Sequence, residues 1–81
     1  MVIVWDEPKR VANIAKHGID FGDIGVDFFL SAIFRPVRQK RWSAIGHFDS
    51  VIAGIFVALG SEGISIISAR PASKQERKLL P

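Results

Sequence analysis

A chain of 81 residues can form one folded domain with one hydrophobic core, but not two. Its apolar content of 48% is enough for such a core, and the absence of cysteine excludes disulfides, thiolate metal sites and a thiol nucleophile. A net charge of +3 is a mild basic bias, which suits a polyanion such as RNA but is also common in small proteins without such a partner.

Nothing in the sequence indicates a targeting signal, a membrane segment or a repeat. The amino-terminal residues lack a basic leader, and the longest apolar run, Val51 to Leu59, is far shorter than a membrane span. Two histidines and eight scattered carboxylates argue against a structural metal, and no P-loop or Rossmann glycine pattern indicates a nucleotide cofactor. We therefore expect one cytoplasmic domain over residues 1–81, without metal or cofactor.

The first predicted elements are a strand and an amphipathic helix. Val2 to Trp5 is short and apolar, as expected of a strand, and Pro8 suits the first turn of a helix over Glu7 to Lys16. Gly18 follows in the usual position of a C-terminal glycine. The apolar face of this helix, which we expect to meet the core, consists of Val11, Ile14 and Ala15.

A second helix is predicted over Phe21 to Leu30, with Asp20 as its N-cap. Its apolar face consists of Phe21, Ile24 and Phe28. Gly22 and Gly25 weaken it, each by about 1 kcal/mol relative to alanine.

The remainder is mostly strand, predicted over Ala32 to Val37, Arg41 to His47, Val51 to Leu59 and Ile64 to Ser68. The third is apolar on both faces and is therefore expected at the centre, antiparallel to the fourth. Ser73 and Glu76 then form a capping box that begins a short closing helix. This order predicts an α+β fold, with an antiparallel sheet of four to five strands and the helices on one side of it.

Three groups of basic residues could carry chemistry. The first lies on the polar face of the first helix and consists of Lys9, Asn13, Lys16 and His17. His17 comes at the helix C-terminus, where the dipole favours positive charge, and could transfer a proton near neutral pH. The alternative is an ordinary solvated helix face with lysines in its last turn.

The second group centres on Arg70, which ends a strand just before the closing helix. An arginine beside free helix N–H groups can bind phosphate. The alternative is an arginine that pairs with a carboxylate at a sheet edge.

The third group comprises Arg35, Arg38, Lys40 and Arg41, next to Trp42. These cations could hold an RNA backbone while the indole stacks on a base, but basic residues also protect edge strands from aggregation. Arg41 and Trp42 alternate, so they face opposite ways in a regular strand, and Trp42 could belong to the core. His47, near a turn, is given no role.

If the three groups converge, they describe an RNA-cleavage site that needs no metal. RNA carries its own nucleophile, the 2′-OH. Lys16 or His17 would act as acid or base, and Arg70 and Arg41 would stabilise charge on the phosphorane.

Several segments resemble the BrnT toxin family, in the expected order and spacing over nearly the whole chain. They are Trp5-Asp6-Glu7-Pro8-Lys9 with Asn13 and Lys16-His17-Gly18-Ile19-Asp20-Phe21, then Arg41-Trp42-Ser43-Ala44-Ile45-Gly46, and finally Ile66-Ile67-Ser68-Ala69-Arg70-Pro71-Ala72-Ser73 with Glu76-Arg77. The resemblance implies a RelE-like α+β fold and a ribonuclease toxin of a type II toxin–antitoxin system. It also implies a BrnA-type antitoxin that binds the toxin and represses the operon, and either a homodimer or a toxin–antitoxin heterotetramer.

By matching position, the resemblance assigns functional roles to Lys16, His17, Arg41, Arg70, Arg77 and Lys9. We predict Lys16, His17, Arg41 and Arg70 as catalytic, and the RNA contacts as Lys9, Asn13, Arg38, Lys40 and Arg77. The chain departs from the family pattern at three places. Lys40 replaces an acidic residue, Ser65 replaces an arginine, and Leu79-Leu80-Pro81 stands where many members have an aromatic residue.

Three readings follow from these features. The first is an endoribonuclease that inhibits translation. The second, motivated by the departures, is a degenerate toxin that only binds its antitoxin. The third is a non-catalytic RNA-binding module, which would bind with steep salt dependence and without cleavage.

Overall fold

The structure is a computed structural model that describes all 81 residues. In chain order its elements are β1 (Val2–Trp5), α1 (Glu7–His17), a 3₁₀ turn (Phe21–Asp23), α2 (Val26–Ser31), β2 (Ile33–Pro36), β3 (Arg41–Phe48), β4 (Ser50–Leu59), β5 (Gly63–Pro71) and α3 (Lys74–Arg77). This order confirms the α+β prediction. None of the helices has the length and apolar composition needed to cross a bilayer.

The five strands form one mixed sheet in the order β1-β5-β4-β3-β2. β4 lies at its centre and pairs antiparallel with β5, as predicted. The prediction of a purely antiparallel sheet was wrong, because β1 pairs with β5 in parallel, with Val2 opposite Gly63 and Trp5 opposite Ile66. Turn signals report on strands that are neighbours in sequence, and this pair joins the two ends of the chain.

The ends of α1 follow the local signals. Pro8 lies in the first turn, and Gly18 closes the helix in the left-handed conformation with φ of 70°. The predicted inward face was wrong, because Val11 is 56% exposed and Ile14 37% exposed, while Asn13 is only 6% exposed. The reason is that α1 lies along β5 beyond the end of β1, where the strand presents free backbone groups that only a polar side chain can satisfy.

The segment predicted as one helix over Phe21 to Leu30 is broken into the 3₁₀ turn and α2. The Asp20 carboxylate accepts a hydrogen bond from the Gly22 N–H at 2.8 Å, which caps the short turn, and Gly25 is extended before α2 begins. The predicted apolar face is nevertheless buried, since Phe21, Ile24 and Phe28 all belong to the core.

The main core lies between α2, the segment that joins α1 to α2, and one side of the sheet, which we call the core face. Its sheet side chains include Ala44, Ile52, Phe56, Ile66 and Ala69. Edge-to-face aromatic contacts join Phe29 to Phe28 and to Phe56, and such pairs add to the energy of burial.

The opposite side of the sheet, which we call the far face, carries the side chains that alternate with those of the core. They include Arg35, Arg41, Ser43, Ile55 and Arg70, according to the strand register. The α3 residue Glu76 contacts Arg70, so α3 lies over the far face. The helices therefore do not all lie on one side of the sheet, and this part of the fold prediction was also wrong.

Candidate functional site

The predicted residues of α1 line a groove of about 230 Å³ between the helix and β5. Lys9, Lys16 and His17 lie on its helix side, and Ile67 and Ser68 lie on its strand side. Lys9 and Lys16 are exposed and His17 is half-buried. The groove thus presents two free ammonium groups and an imidazole, a set that can bind an anion and transfer a proton.

Asn13 shares this groove but is used within the fold. Its Nδ2 donates to the carbonyl oxygens of Ile19 at 2.8 Å and Ala69 at 2.9 Å, and its Oδ1 accepts from the Ala69 N–H at 3.0 Å. Both donors of the carboxamide are therefore occupied, and the side chain is buried. These bonds give Asn13 a structural role, and the RNA contact predicted for it stays a prediction.

Arg70 pairs with Glu76 through two nearly parallel hydrogen bonds. Nη1 donates to Oε1 at 2.7 Å and Nη2 donates to Oε2 at 2.9 Å. The guanidinium lowers the pKa of the Glu76 carboxyl to about 2, with a further contribution from the Ser73 N–H. The alternative reading of Arg70, an arginine paired with a carboxylate, is therefore what the structure shows.

The capping box of α3 explains why Glu76 is held at this position. Ser73 Oγ accepts from the Glu76 N–H at 3.1 Å, and Glu76 Oε1 accepts from the Ser73 N–H at 2.8 Å. Two of the N–H groups that the sequence suggested for phosphate are thus occupied by the helix's own side chains.

A second cavity, of about 200 Å³, lies on the far face and includes the Arg70–Glu76 pair. Arg35, Ser43 and Ile55 also line it, and they lie side by side in the register of β2, β3 and β4. Ser43 is 5% exposed, and its hydroxyl has no hydrogen-bond partner. We had not assigned a site role to Ser43, although its even spacing from Arg41 placed both on one face.

The remaining basic residues lie around the far face and at the end of the β2–β3 hairpin. Arg38 and Lys40 belong to the exposed turn between these strands, where Lys40 has φ of 62°. Arg41 is exposed on the far face, and Arg77 is exposed on α3 next to Glu76. Trp42 points the other way, as alternation predicted, and lines an apolar depression with Phe34, Phe56 and Ala58.

The structure therefore does not bring the four predicted catalytic residues into one cavity. Lys16 and His17 line the α1 groove, Arg70 lines the far-face cavity, and Arg41 lines neither. The groove and the cavity share no lining residue. The groove and the cavity are adjacent where β5 pairs with β4, since Ser68 of the groove lies opposite Ile55 of the cavity. A ligand that contacts both groups must be extended, as a single-stranded nucleic acid is.

A further cavity, of about 400 Å³, lies elsewhere, at the α2 end of the sheet. Its lining includes Asp23, Asp27 and His47 and none of the predicted cations. No group of three or more His, Asp or Glu side chains is arranged to hold a metal ion.

Comparisons with known proteins agree with this architecture. A family model described as "Ribonuclease toxin, BrnT, of type II toxin-antitoxin system" matches residues 5–76. The crystal structure of the Brucella abortus ribonuclease toxin BrnT is similar to this structure, with a TM-score of 0.85 and 54% sequence identity over 91% of this chain and 99% of that chain. A comparison with curated protein sequences returned no match.

The family match includes the α1 groove, the far-face cavity and Glu76, and the structural match extends over nearly the whole chain. The chain therefore belongs to the BrnT family of ribonuclease toxins of type II toxin–antitoxin systems.

Proposed function

We propose that this chain is a toxin that cleaves RNA by attack of a 2′-OH on the adjacent phosphodiester, and that it inhibits translation in the cytoplasm. The observation that carries the proposal is the 54% identity and close structural similarity to the Brucella ribonuclease toxin. The nucleophile belongs to the RNA itself, so the protein needs only to position the strand, move protons and stabilise negative charge.

The α1 groove supplies the proton-transfer groups in this proposal. His17 is half-buried in the last turn of α1, next to Lys16. One of these two groups would take the proton of the 2′-OH as the 2′-oxygen attacks phosphorus, and the other would give a proton to the 5′-oxygen as the bond from phosphorus to that oxygen breaks. The exposed Lys9 would contact a phosphate at the mouth of the same groove.

The far face supplies the stabilising charge. Arg70 would lie near the phosphate that becomes the pentavalent phosphorane. Arg41 pairs with β4 at Val57, four residues from the partner of Arg70, and would contact the flanking backbone together with Arg38, Lys40 and Arg77. From family membership we expect a RelE-like fold and an antitoxin partner of the BrnA type. We also expect the chain to form either a homodimer or a toxin–antitoxin heterotetramer. The exposed apolar side chains Val11, Phe34 and Trp42 offer surface that an antitoxin could cover.

A second candidate function is supported by the Arg70–Glu76 pair. In this function Glu76 keeps Arg70 neutralised. Lys40 replaces the acidic residue of the family pattern and Ser65 replaces its arginine. The chain would then bind its antitoxin without cleaving RNA. Such a protein would co-purify with the antitoxin and would be harmless when produced alone.

Induced expression in a bacterial host separates the two candidates. The toxin reading predicts growth arrest and loss of amino-acid incorporation, which His17→Ala abolishes and co-expression of the antitoxin prevents. The degenerate reading predicts normal growth despite soluble protein at the same level as an active relative. A gel of the soluble fraction is the control for protein level.

A further inference from the structure

The far-face cavity has the composition of a site for a phosphate group. Two guanidinium groups line it, those of Arg35 and Arg70, and the only acid in its lining is Glu76. Arg35 takes part in none of the ion pairs of the chain, whereas Arg70 is paired with Glu76. The cavity therefore holds one cation that is unpaired and one that is occupied by an internal anion.

Ser43 gives an independent indication that this cavity accepts a ligand. Its side chain is more than nine-tenths buried, lines the cavity, and leaves its hydroxyl without a donor or an acceptor. A buried hydroxyl without a partner is destabilising, so such groups are uncommon unless water or a ligand satisfies them. A phosphate oxygen in the cavity would accept the hydrogen bond that Ser43 can donate.

Glu76 occupies Arg70 in the way that a phosphate would. Its two oxygens accept the two parallel N–H groups of the guanidinium fork, which is the geometry shared by bidentate carboxylates and phosphates. The carboxylate side chain is only 13% exposed, so it fills the place on Arg70 that faces the cavity.

Few contacts hold α3, the helix that carries Glu76. α3 has four residues and none of them is buried, so its position depends largely on the capping box and on the bond to Arg70. None of its own side chains belongs to the core cluster, so an incoming anion can compete with Glu76 for Arg70 without removing a core side chain.

We propose that the far-face cavity is the phosphate subsite of the RNA site, formed by Arg35, Ser43 and Arg70, and that Glu76 is a built-in competitor that an RNA phosphate must displace. The proposal depends on the proposed function, and it adds two binding residues and a means of regulation. Anything that holds α3 down keeps the subsite closed, and anything that draws α3 away opens it.

The test measures binding of a single-stranded 2′-O-methyl oligoribonucleotide, which cannot be cleaved by 2′-OH attack, at fixed salt concentration by fluorescence anisotropy. Glu76→Gln removes the charge but keeps a side chain that capping boxes accept. We expect it to bind roughly three- to tenfold more tightly than the unmodified chain. The control is Glu62→Gln in the exposed β4–β5 turn, which changes net charge equally and lies outside the cavity.

Ser43→Ala tests the subsite independently of α3. Because it removes an unpaired hydroxyl, the variant should be as stable as the unmodified chain or more so, yet bind the same RNA about two- to tenfold more weakly. Ser61→Ala, in the exposed turn, should leave binding unchanged. Inorganic phosphate should shift the NMR signals of Ser43 and Arg70 in the unmodified chain, and it should shift those of Arg70 less in Ser43→Ala.

The proposal is overturned if Glu76→Gln and Glu62→Gln strengthen binding equally, or if Ser43→Ala binds as the unmodified chain does. If Glu76→Gln does not fold, Ser43→Ala and the phosphate titration decide. Cleavage of ordinary RNA is scored separately. Cleavage without the expected binding pattern would contradict the phosphate subsite and support the nuclease function. The expected binding pattern without cleavage would support the subsite and contradict the nuclease function.

Discussion

The side-chain amide of Asn13 bonds both backbone groups of Ala69, and in doing so it continues the sheet from a helix. Oδ1 accepts from the Ala69 N–H at 3.0 Å and Nδ2 donates to its carbonyl oxygen at 2.9 Å. β1 pairs with β5 only as far as Ile66, so the strand would otherwise present unsatisfied groups beyond that point. The contact sets the position of α1, and hence of His17, relative to the sheet.

Asn13→Ala should lower the free energy of unfolding by about 2–4 kcal/mol, because it leaves the N–H and carbonyl of Ala69 buried and unpaired. Urea unfolding measures the change. The matched control is Lys9→Ala, an exposed residue of the same helix, which should change stability by less than about 0.5 kcal/mol. Equal stability of the two variants would contradict the structural role of Asn13.

The Arg70–Glu76 pair should make stability depend on pH. Because the pKa of Glu76 is lowered to about 2 in the folded chain, its contribution is present above the unfolded pKa, near 4.3, and is lost as pH falls through that value towards 2. Glu76→Gln should therefore be less stable by about 1–2 kcal/mol at pH 7, below the full value of the shift because Arg70 is 38% exposed.

The measurement for this pair is urea unfolding of both proteins from pH 7 to pH 3. The difference in the free energy of unfolding between the unmodified chain and Glu76→Gln should become smaller as the pH falls. Two other carboxyl groups also have lowered pKa values. A hydrogen bond from Arg10 lowers the pKa of Glu7, and hydrogen bonds from the Gly22 N–H and then from Arg10 lower the pKa of Asp20. Both groups contribute equally to the two proteins and cancel in the comparison. A difference that is constant with pH would show that Glu76 does not titrate as described.

Gly46 and Gly54 make a matched pair of substitutions in adjacent strands. A Cβ on Gly46 would lie 3.0 Å from Cε1 of Phe28 and 3.3 Å from the Cβ of Ala32, whereas a Cβ on Gly54 would lie 3.7 Å from its nearest neighbour. We expect Gly46→Ala to cost about 1–3 kcal/mol and Gly54→Ala less than about 1 kcal/mol. Thermal unfolding compares the two, and a larger cost at Gly54 would refute this account of the core.

The β2–β3 turn should contribute to RNA affinity through charge alone. Replacing Arg38 and Lys40 together by glutamine should weaken binding of 2′-O-methyl RNA and reduce the slope of log affinity against log salt by about 1.4, since each phosphate contact contributes roughly 0.7 on single strands. Lys74→Gln with Lys78→Gln, the same change of charge on and next to α3, should leave the slope nearly unchanged. An equal reduction of the salt slope in both double variants would contradict the assignment of the β2–β3 turn to RNA binding.

Local sequence signals predicted the ends of α1 and the start of α3 well. Pro8 and Gly18 placed α1, and Ser73 with Glu76 placed α3, because each signal acts through bonds within a few residues. The inward face of α1 was predicted wrongly because hydrophobic periodicity assumes an apolar partner. The partner here is the backbone edge of β5, which Asn13 satisfies.

The candidate site was predictable in part for the same reason. The sequence predicted Arg70 and also offered its pairing with a carboxylate, but it could not decide between phosphate and carboxylate, because that depends on where α3 folds back. Arg35 and Ser43 meet Arg70 only through the register of three strands. No local pattern reports that register, so the far-face cavity becomes visible only in the structure.

The most direct test of the central claim is cleavage of a defined single-stranded RNA by the purified chain in the presence of EDTA, next to the same RNA with 2′-O-methyl groups throughout. We expect cleavage of the first only, with 2′,3′-cyclic phosphate ends, and loss of cleavage in His17→Ala purified in the same way, which also controls for contaminating nucleases. Cleavage of the 2′-O-methyl RNA, or equal cleavage by His17→Ala, would contradict the account.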